Sequence, residues 1–248
     1  KPAEQTSIIA YELIKLLFQA GLPNSALQLL LGEGESIGHI VLSDSRIKGV
    51  LFTGSCETAN KIKKNLNKNE GEIIPLTAET GGLNFMIIDS SALTEQVVDD
   101  AIESGFYSAG QRCSALRILA VQEEVYERTI NMLKGATKKI KVGLPYLLST
   151  DIGPVIDQEA KDRINNHIQS FSSKVLVRTS ISNEKDGFYV SPTIIEIDNL
   201  FEVKKEIFGP VIHVYKYKAD EIEKLVSDIN KMNYGLTLGI QSRIENTI

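Results

Sequence analysis

Two short runs hold the residues best equipped for chemistry: Cys113 in Gly110-Gln111-Arg112-Cys113-Ser114, and Glu79 in Glu79-Thr80-Gly81-Gly82. A thiol attacks a carbonyl as its thiolate, and a thioester then needs a base-activated water to leave as an acid. A cysteine and a separate carboxylate divide those steps between them, which suits the oxidation of an aldehyde. Gly110 permits close backbone approach, and the charge of Arg112, where it points inward, favours the thiolate. By spacing alone, a cysteine beside a glycine is more often an inert buried side chain, and a glutamate before two glycines an exposed turn residue. Cys56 follows Gly54-Ser55 where a helix begins, with neither a base nor a carbonyl pocket beside it, and reads as a packing or surface thiol.

These groups need elements to hold them. From Thr6 or Ser7 as N-cap, Ile9, Leu13, Leu16, Leu17 and Ala20 mark a helix ended by Gly21 and Pro23. Ala26 to Leu31 reads as a short buried strand and Ile37 to Leu42 as a short helix. Lys48 to Phe52 reads as a strand entering Gly54-Ser55, after which Ala59, Ile62 and Leu66 mark a helix; strand, glycine turn and helix make a dinucleotide-type unit. Ile73 to Leu76 is a strand candidate that Pro75 assigns to an edge or a strand end. Phe85 to Ile88 reads as a strand, and Thr94 caps a helix with Val97, Val98, Ala101 and Ile102 on its apolar face, leading to the thiol. Beyond Cys113 come a strand from Arg117 to Val121, a long helix from Tyr126 to Ile140 and a helix through Ile164, Ile168 and Phe171. Strands follow at Val175 to Val177, Tyr189 to Ile197 and Val211 to Tyr217. Asp220 with Glu223 gives a capping-box-like start to a helix carrying Ile222, Leu225, Val226 and Ile229. The alternation predicts an α/β fold with largely parallel pairing.

Several runs, in order, resemble the aldehyde dehydrogenase superfamily: Lys1-Pro2-Ala3-Glu4-Gln5-Thr6, Phe52-Thr53-Gly54-Ser55, the Glu79 and Cys113 runs, and Glu206-Ile207-Phe208-Gly209-Pro210. The stretches Ala78 to Asn84 and Ser108 to Leu116 are most similar to its glutamate-semialdehyde (pyrroline-5-carboxylate) dehydrogenases. The resemblance implies an incomplete Rossmann-like NAD-binding domain over residues 1–78 and an α/β catalytic domain over 79–248, truncated at its C-terminus, with the seam near Glu79 to Gly82. It implies Cys113 as nucleophile and Glu79 as the base for the deacylating water. It assigns Lys1 and Glu4 to the adenosine ribose, Gly54 and Ser55 to the diphosphate, and Glu206 and Phe208 to the nicotinamide ribose and ring. A carboxylate at Glu4 accepts from a ribose 2′-hydroxyl and repels a 2′-phosphate, so NAD is expected over NADP. Many relatives carry Gly where this chain has Ala59, so its phosphate turn departs from the tighter glycine pattern. Ser114 matches a serine that hydrogen-bonds the substrate's α-carboxylate. The implied activity is NAD-dependent oxidation of L-glutamate γ-semialdehyde to L-glutamate in proline catabolism.

At 248 residues with a net charge of −5, the chain has no electrostatic footprint for nucleic acid. Lys61-Ile62-Lys63-Lys64 and Lys138-Lys139-Ile140-Lys141 read as solvated helix faces. No apolar run reaches the ~20 residues of a membrane span. Two cysteines make no disulfide framework, so a reducing, cytoplasmic setting is expected. His39, His167 and His213 stand isolated without ligand spacing, and no metal is expected. The resemblance places an oxyanion-holding Asn before Lys1 and substrate-gripping and oligomerisation segments after Ile248, so the chain alone is expected to be inactive. Its expected partners are an aldehyde substrate and either further copies of itself or the remainder of a larger bifunctional chain. Two rivals stay open: a non-catalytic remnant or scaffold that needs a partner chain carrying the missing half, and acyl transfer at the same thiol without redox chemistry.

Overall fold

The computed structural model describes residues 1–68, 73–181 and 187–248. Its internal contacts divide the chain into two units, Lys1–Thr80 and Gly81–Ile248.

In the first unit, a 3₁₀ turn (Glu4–Thr6) enters α1 (Ser7–Gln19), followed by α2 (Gly34–Leu42), β1 (Val50–Thr53), α3 (Cys56–Leu66) and β2 (Leu76–Glu79). β1 and β2 pair in parallel, with Thr53 opposite Glu79. The strand, glycine turn and helix expected around Gly54 are present, and Ser55 caps α3 by accepting from the Thr58 N–H at 3.1 Å. Three readings need correction. The 26–31 segment forms no strand: β1 and β2 pair only with each other, and neither takes it up at its open edge. The strand read at Ile73 to Leu76 starts only at Leu76, since Pro75 has no N–H to donate to a ladder. The apolar stripe of α1 forms a helix, but Thr6 makes no side-chain cap and Ile9, Leu13 and Leu16 are exposed.

The second unit is built on a six-stranded sheet in the order β5-β6-β7-β4-β3-β8. Its elements in chain order are β3 (Asn84–Ile88), α4 (Thr94–Phe106), β4 (Leu116–Gln122), α5 (Glu123–Thr137), α6 (Gln158–Ser170), β5 (Val175–Arg178), β6 (Thr193–Ile197), β7 (Val211–Tyr217), α7 (Ile222–Lys231) and β8 (Leu238–Gln241). Among the described residues of this sheet, only β5 runs antiparallel; all other neighbours pair in parallel. β3 and β4 are buried along their whole length. Continuous apolar runs such as Ile118 to Val121 are what a central parallel strand, covered on both faces, requires. The core packs Val97, Val98 and Ala101 of α4 and Ile130 and Leu133 of α5 with these strands.

Several element boundaries differ from the sequence reading. α4 starts at Thr94 with Leu93 in the capping position, so Thr94 supplies no cap. α5 ends at Thr137, which leaves Lys139 and Lys141 beyond the helix rather than on its face. The strand read from Tyr189 begins only at Thr193, and α7 is preceded by a 3₁₀ turn (Ala219–Glu221) with no Asp220 capping bond. β8 was not anticipated: four residues containing Gly239 carry little periodic signal. Among the described residues, no helix is long and apolar enough to cross a membrane.

Candidate active site

In the first unit, Gly54, Ser55 and Glu79 collect at the carboxyl ends of β1 and β2. The Gly54 N–H donates to the Glu79 carbonyl at 3.1 Å, so the glycine turn and the backbone of the expected base are neighbours at the carboxyl ends of two parallel strands. A Cβ on Gly54 would lie 2.5 Å from the tip of the Phe52 ring, so any larger residue there requires that ring to move aside. The Glu79 side chain is exposed. Lys1 and Glu4 form an ion pair at 2.8 Å, and Glu4 Oε1 also accepts from the Gly34 N–H at 2.7 Å, at the start of α2. The Lys1 hydrogen bond, with help from backbone N–H groups, holds the Glu4 carboxyl down to about 2, ionised across the neutral range. Cys56 opens α3 and is exposed.

In the second unit, the thiol stands where parallel strands begin. Asn84 opens β3, Cys113 precedes β4, Glu206 and Phe208 precede β7, and Thr237 precedes β8. Because β8, β3, β4 and β7 all run the same way, these residues share the amino-terminal edge of the sheet. Before Cys113 the chain makes a tight left-handed turn, with positive φ at Ser108, Ala109 and Gly110. Left-handed Ser and Ala are uncommon and cost on the order of 1–2 kcal/mol each. Gly110 cannot be replaced cheaply, since a Cβ there would lie 2.1 Å from the Gly209 carbonyl oxygen. The Cys113 side chain emerges exposed from this turn.

Three polar side chains fix the turn. Asn84, buried at the head of β3, donates through Nδ2 to the Cys113 carbonyl at 2.7 Å and the Ala115 carbonyl at 2.9 Å, while its Oδ1 accepts from the Thr237 N–H at 3.1 Å. Arg112, whose charge was read as favouring the thiolate where it points inward, is committed at Nη2 to the end of α4. Its Nη2 donates to the Glu103 and Ser104 carbonyls at 2.7 and 3.2 Å, satisfying the open carbonyls in the last turn of α4. The third is Arg117, only 1% exposed, which donates to the carbonyls of Gly110, Gly209 and Arg112 and to Glu206 Oε1 at 3.0 Å. Its guanidinium also lies 5.4 Å from the centre of the Phe208 ring. Burial pulls the Arg117 pKa down, and the Glu206 charge opposes that pull.

Arg117 and Asn84 were missed as site residues. Each left a signal, because a lone charge or amide at the head of a fully apolar strand must find partners. His167 and His213 were misread as isolated. The Nε2 atoms of His167 and His213 lie 2.8 Å apart, and His213 Nδ1 meets the Arg117 carbonyl at 3.1 Å. Ser114 is exposed and lines a cavity of about 230 Å³ with Asn84, Ser104 and Thr237. A second cavity, of about 480 Å³ and lined by Lys138, Lys139 and Lys141, shares no residue with the thiol turn.

The exposed thiol, its turn and the parallel sheet behind it agree with comparison to known proteins: residues 1–248 match the aldehyde dehydrogenase family, and the chain belongs to that family. It is 50% identical to the bifunctional protein PutA of Klebsiella aerogenes, covering 100% of this chain and 20% of that protein. Among solved structures, a proline utilization A (PutA) from Bradyrhizobium japonicum superposes with a TM-score of 0.95 at 45% identity, over 99% of this chain and 25% of that one. A Δ-pyrroline-5-carboxylate dehydrogenase from Mycobacterium tuberculosis, solved with NAD bound, gives a TM-score of 0.89 at 27% identity over 99% of this chain and 46% of that one. The chain thus spans about a fifth to a half of the length of these relatives.

Proposed function

We propose that the chain is the thiol-bearing part of an NAD-dependent aldehyde dehydrogenase that oxidises L-glutamate γ-semialdehyde (pyrroline-5-carboxylate) to L-glutamate in proline catabolism, within a larger bifunctional polypeptide. The observation that carries the reading is the exposed Cys113 on a strained turn, joined through buried Arg117 to Glu206 and Phe208. The residues fit NAD. Glu4 and Glu206 are carboxylates suited to ribose hydroxyls, and the Ser55-capped start of α3 offers N–H groups to a diphosphate. NAD supplies, when bound, the acceptor for the hydride lost in oxidation.

In this reading the Cys113 thiolate adds to the aldehyde carbon and gives a thiohemiacetal, which oxidation converts to a thioester. Glu79 then takes a proton from water, the resulting hydroxide adds to the thioester carbon, and the C–S bond breaks to release glutamate and regenerate the thiolate. Ser114 offers its hydroxyl to the substrate's α-carboxylate. Lys1, Gly54 and Phe208 support the cofactor, and residues 1–78 and 79–248 form the cofactor and catalytic parts. A reducing compartment suits an exposed thiol.

The test is NADH formation from glutamate semialdehyde by the full-length protein, followed at the nicotinamide absorbance band. Cys113→Ser is expected to abolish it. Glu79→Gln is expected to keep a burst of about one NADH per site while slowing steady turnover by about 10²–10⁴-fold. Absence of NADH from the unaltered full-length protein rejects the reading and leaves the non-catalytic scaffold.

A further inference from the structure

The nucleophile turn and the Glu206 turn come from segments about ninety residues apart, yet one buried side chain holds both. Through Nη1, Arg117 donates to the Gly110 carbonyl at 2.8 Å and the Gly209 carbonyl at 3.2 Å. Through Nη2 it donates to the Arg112 carbonyl at 3.1 Å and to Glu206 Oε1 at 3.0 Å. Each nitrogen therefore has one partner in the thiol turn and one in the 206–209 turn. The planar fork fixes their spacing and orientation in a way a rotatable ammonium cannot. On its other side the Glu206 carboxylate is confined by the bare Cα of Gly81, where a Cβ would fall 1.6 Å from Oε2. Oε1 is committed to Arg117, and Oε2 makes no hydrogen bond among the described residues. The Phe208 ring, two residues on, rests against the same guanidinium.

We propose that Arg117 is a positioning residue that sets the register between Cys113 and the Glu206–Phe208 cofactor grip, holding Glu206 in one orientation with Oε2 presented to the ligand. Arg117 touches neither substrate nor cofactor; it acts through Glu206 and the turn carbonyls. The proposal rests on the NAD reading above. A desolvated charge on a strand buried along its length is costly, the more so because Nε has no hydrogen-bond partner among the described residues, so a purely structural need at this position would be met as well by an apolar side chain of similar length.

The experiment uses the full-length protein and measures NAD dissociation constants by calorimetry, which needs no turnover, together with kcat and thermal midpoints. Arg117→Lys keeps the charge and loses the fork. It is expected to weaken NAD binding about tenfold and lower kcat about tenfold, with the thermal midpoint held within a few degrees. Glu206→Gln is expected to weaken NAD binding to a similar extent. The double variant is expected to bind no worse than the poorer single one, because both changes break one link. Gly81→Ala pushes the carboxylate aside without touching Arg117, is expected to weaken NAD binding at least about fivefold, and decides the matter should the Arg117 variant not fold. Unchanged binding in Arg117→Lys or in Gly81→Ala, or losses that multiply in the double variant, overturns the positioning role while leaving the NAD reading intact. An unaltered protein that binds no NAD overturns the cofactor reading, and this proposal with it.

Discussion

Asn84 shows how much one amide can decide. Its Nδ2 faces two carbonyls and its Oδ1 faces one N–H, so every polar atom of the buried side chain is matched to the opposite kind. Asn84→Ala leaves those backbone groups short of partners and is expected to cost about 2–4 kcal/mol. Asn84→Asp is expected to cost more, since a carboxylate would face two carbonyl oxygens; thermal unfolding of both variants checks the order. The same logic explains which site residues the sequence made legible. Cys113, Glu79 and Glu206 stand in runs whose residue types announce chemistry, whereas Asn84 and Arg117 sit at the heads of apolar runs and reveal their purpose only once their partners are in space. The direction of Arg112 was open for a related reason: its neighbour in sequence is the thiol, but its hydrogen bonds go to the end of α4.

Among the elements, strongly periodic or continuous apolar segments were legible and pairing-dependent ones were not. α4, β3, β4 and β7 follow from their own residues. The absent strand at 26–31 and the unexpected β8 depend on whether a neighbouring strand exists, which no local pattern states. The contact between the α4–β4 turn and the loop before β7 is likewise invisible in sequence, and two glycines test it. Gly110→Ala meets a rigid carbonyl at 2.1 Å and must also keep a φ of +64, so it is expected to destabilise by more than about 3 kcal/mol. Gly209→Ala meets Cδ1 and Cγ1 of fully buried Ile164 at 2.4 and 2.8 Å, a packed side chain rather than backbone and at a φ that alanine accepts, and about 1–3 kcal/mol is expected. Reversed costs in denaturant unfolding would mean that the turn is held by something other than this backbone contact.

On the scale of the whole molecule, stability should carry a pH signature written by a pair of histidines, His213 buried and His167 half-buried. A carbonyl can only accept, so His213 Nδ1 carries the proton donated to the Arg117 carbonyl, and its Nε2 then accepts from the Nε2–H of His167. This arrangement requires His213 to be neutral, and Phe171 packs against both rings, with ring centres at 4.9 and 5.9 Å. Burial drives His213 down to about 3, with charge on His167 and Arg117 pushing the same way and Glu202 opposing; burial also lowers His167. An unfolded histidine binds its proton near 6.5 while the folded pair refuses it, so the unfolded state gains protons as pH falls below that value. Stability is therefore whole above about 6.5 and declines below it, His213 contributing up to about 1.4 kcal/mol per pH unit down to about 3 and His167 adding a loss of the same sign. The exposed carboxylates Glu4 and Asp44, both held down to about 2 by cationic partners, lose their contribution only below their own unfolded values near 4. Between pH 6.5 and 5 the decline thus belongs to the histidines rather than to those acids. His213→Gln is expected to lower the midpoint at pH 8 and flatten the slope in that window, and a slope as steep as in the unaltered protein would assign the acid sensitivity to another group.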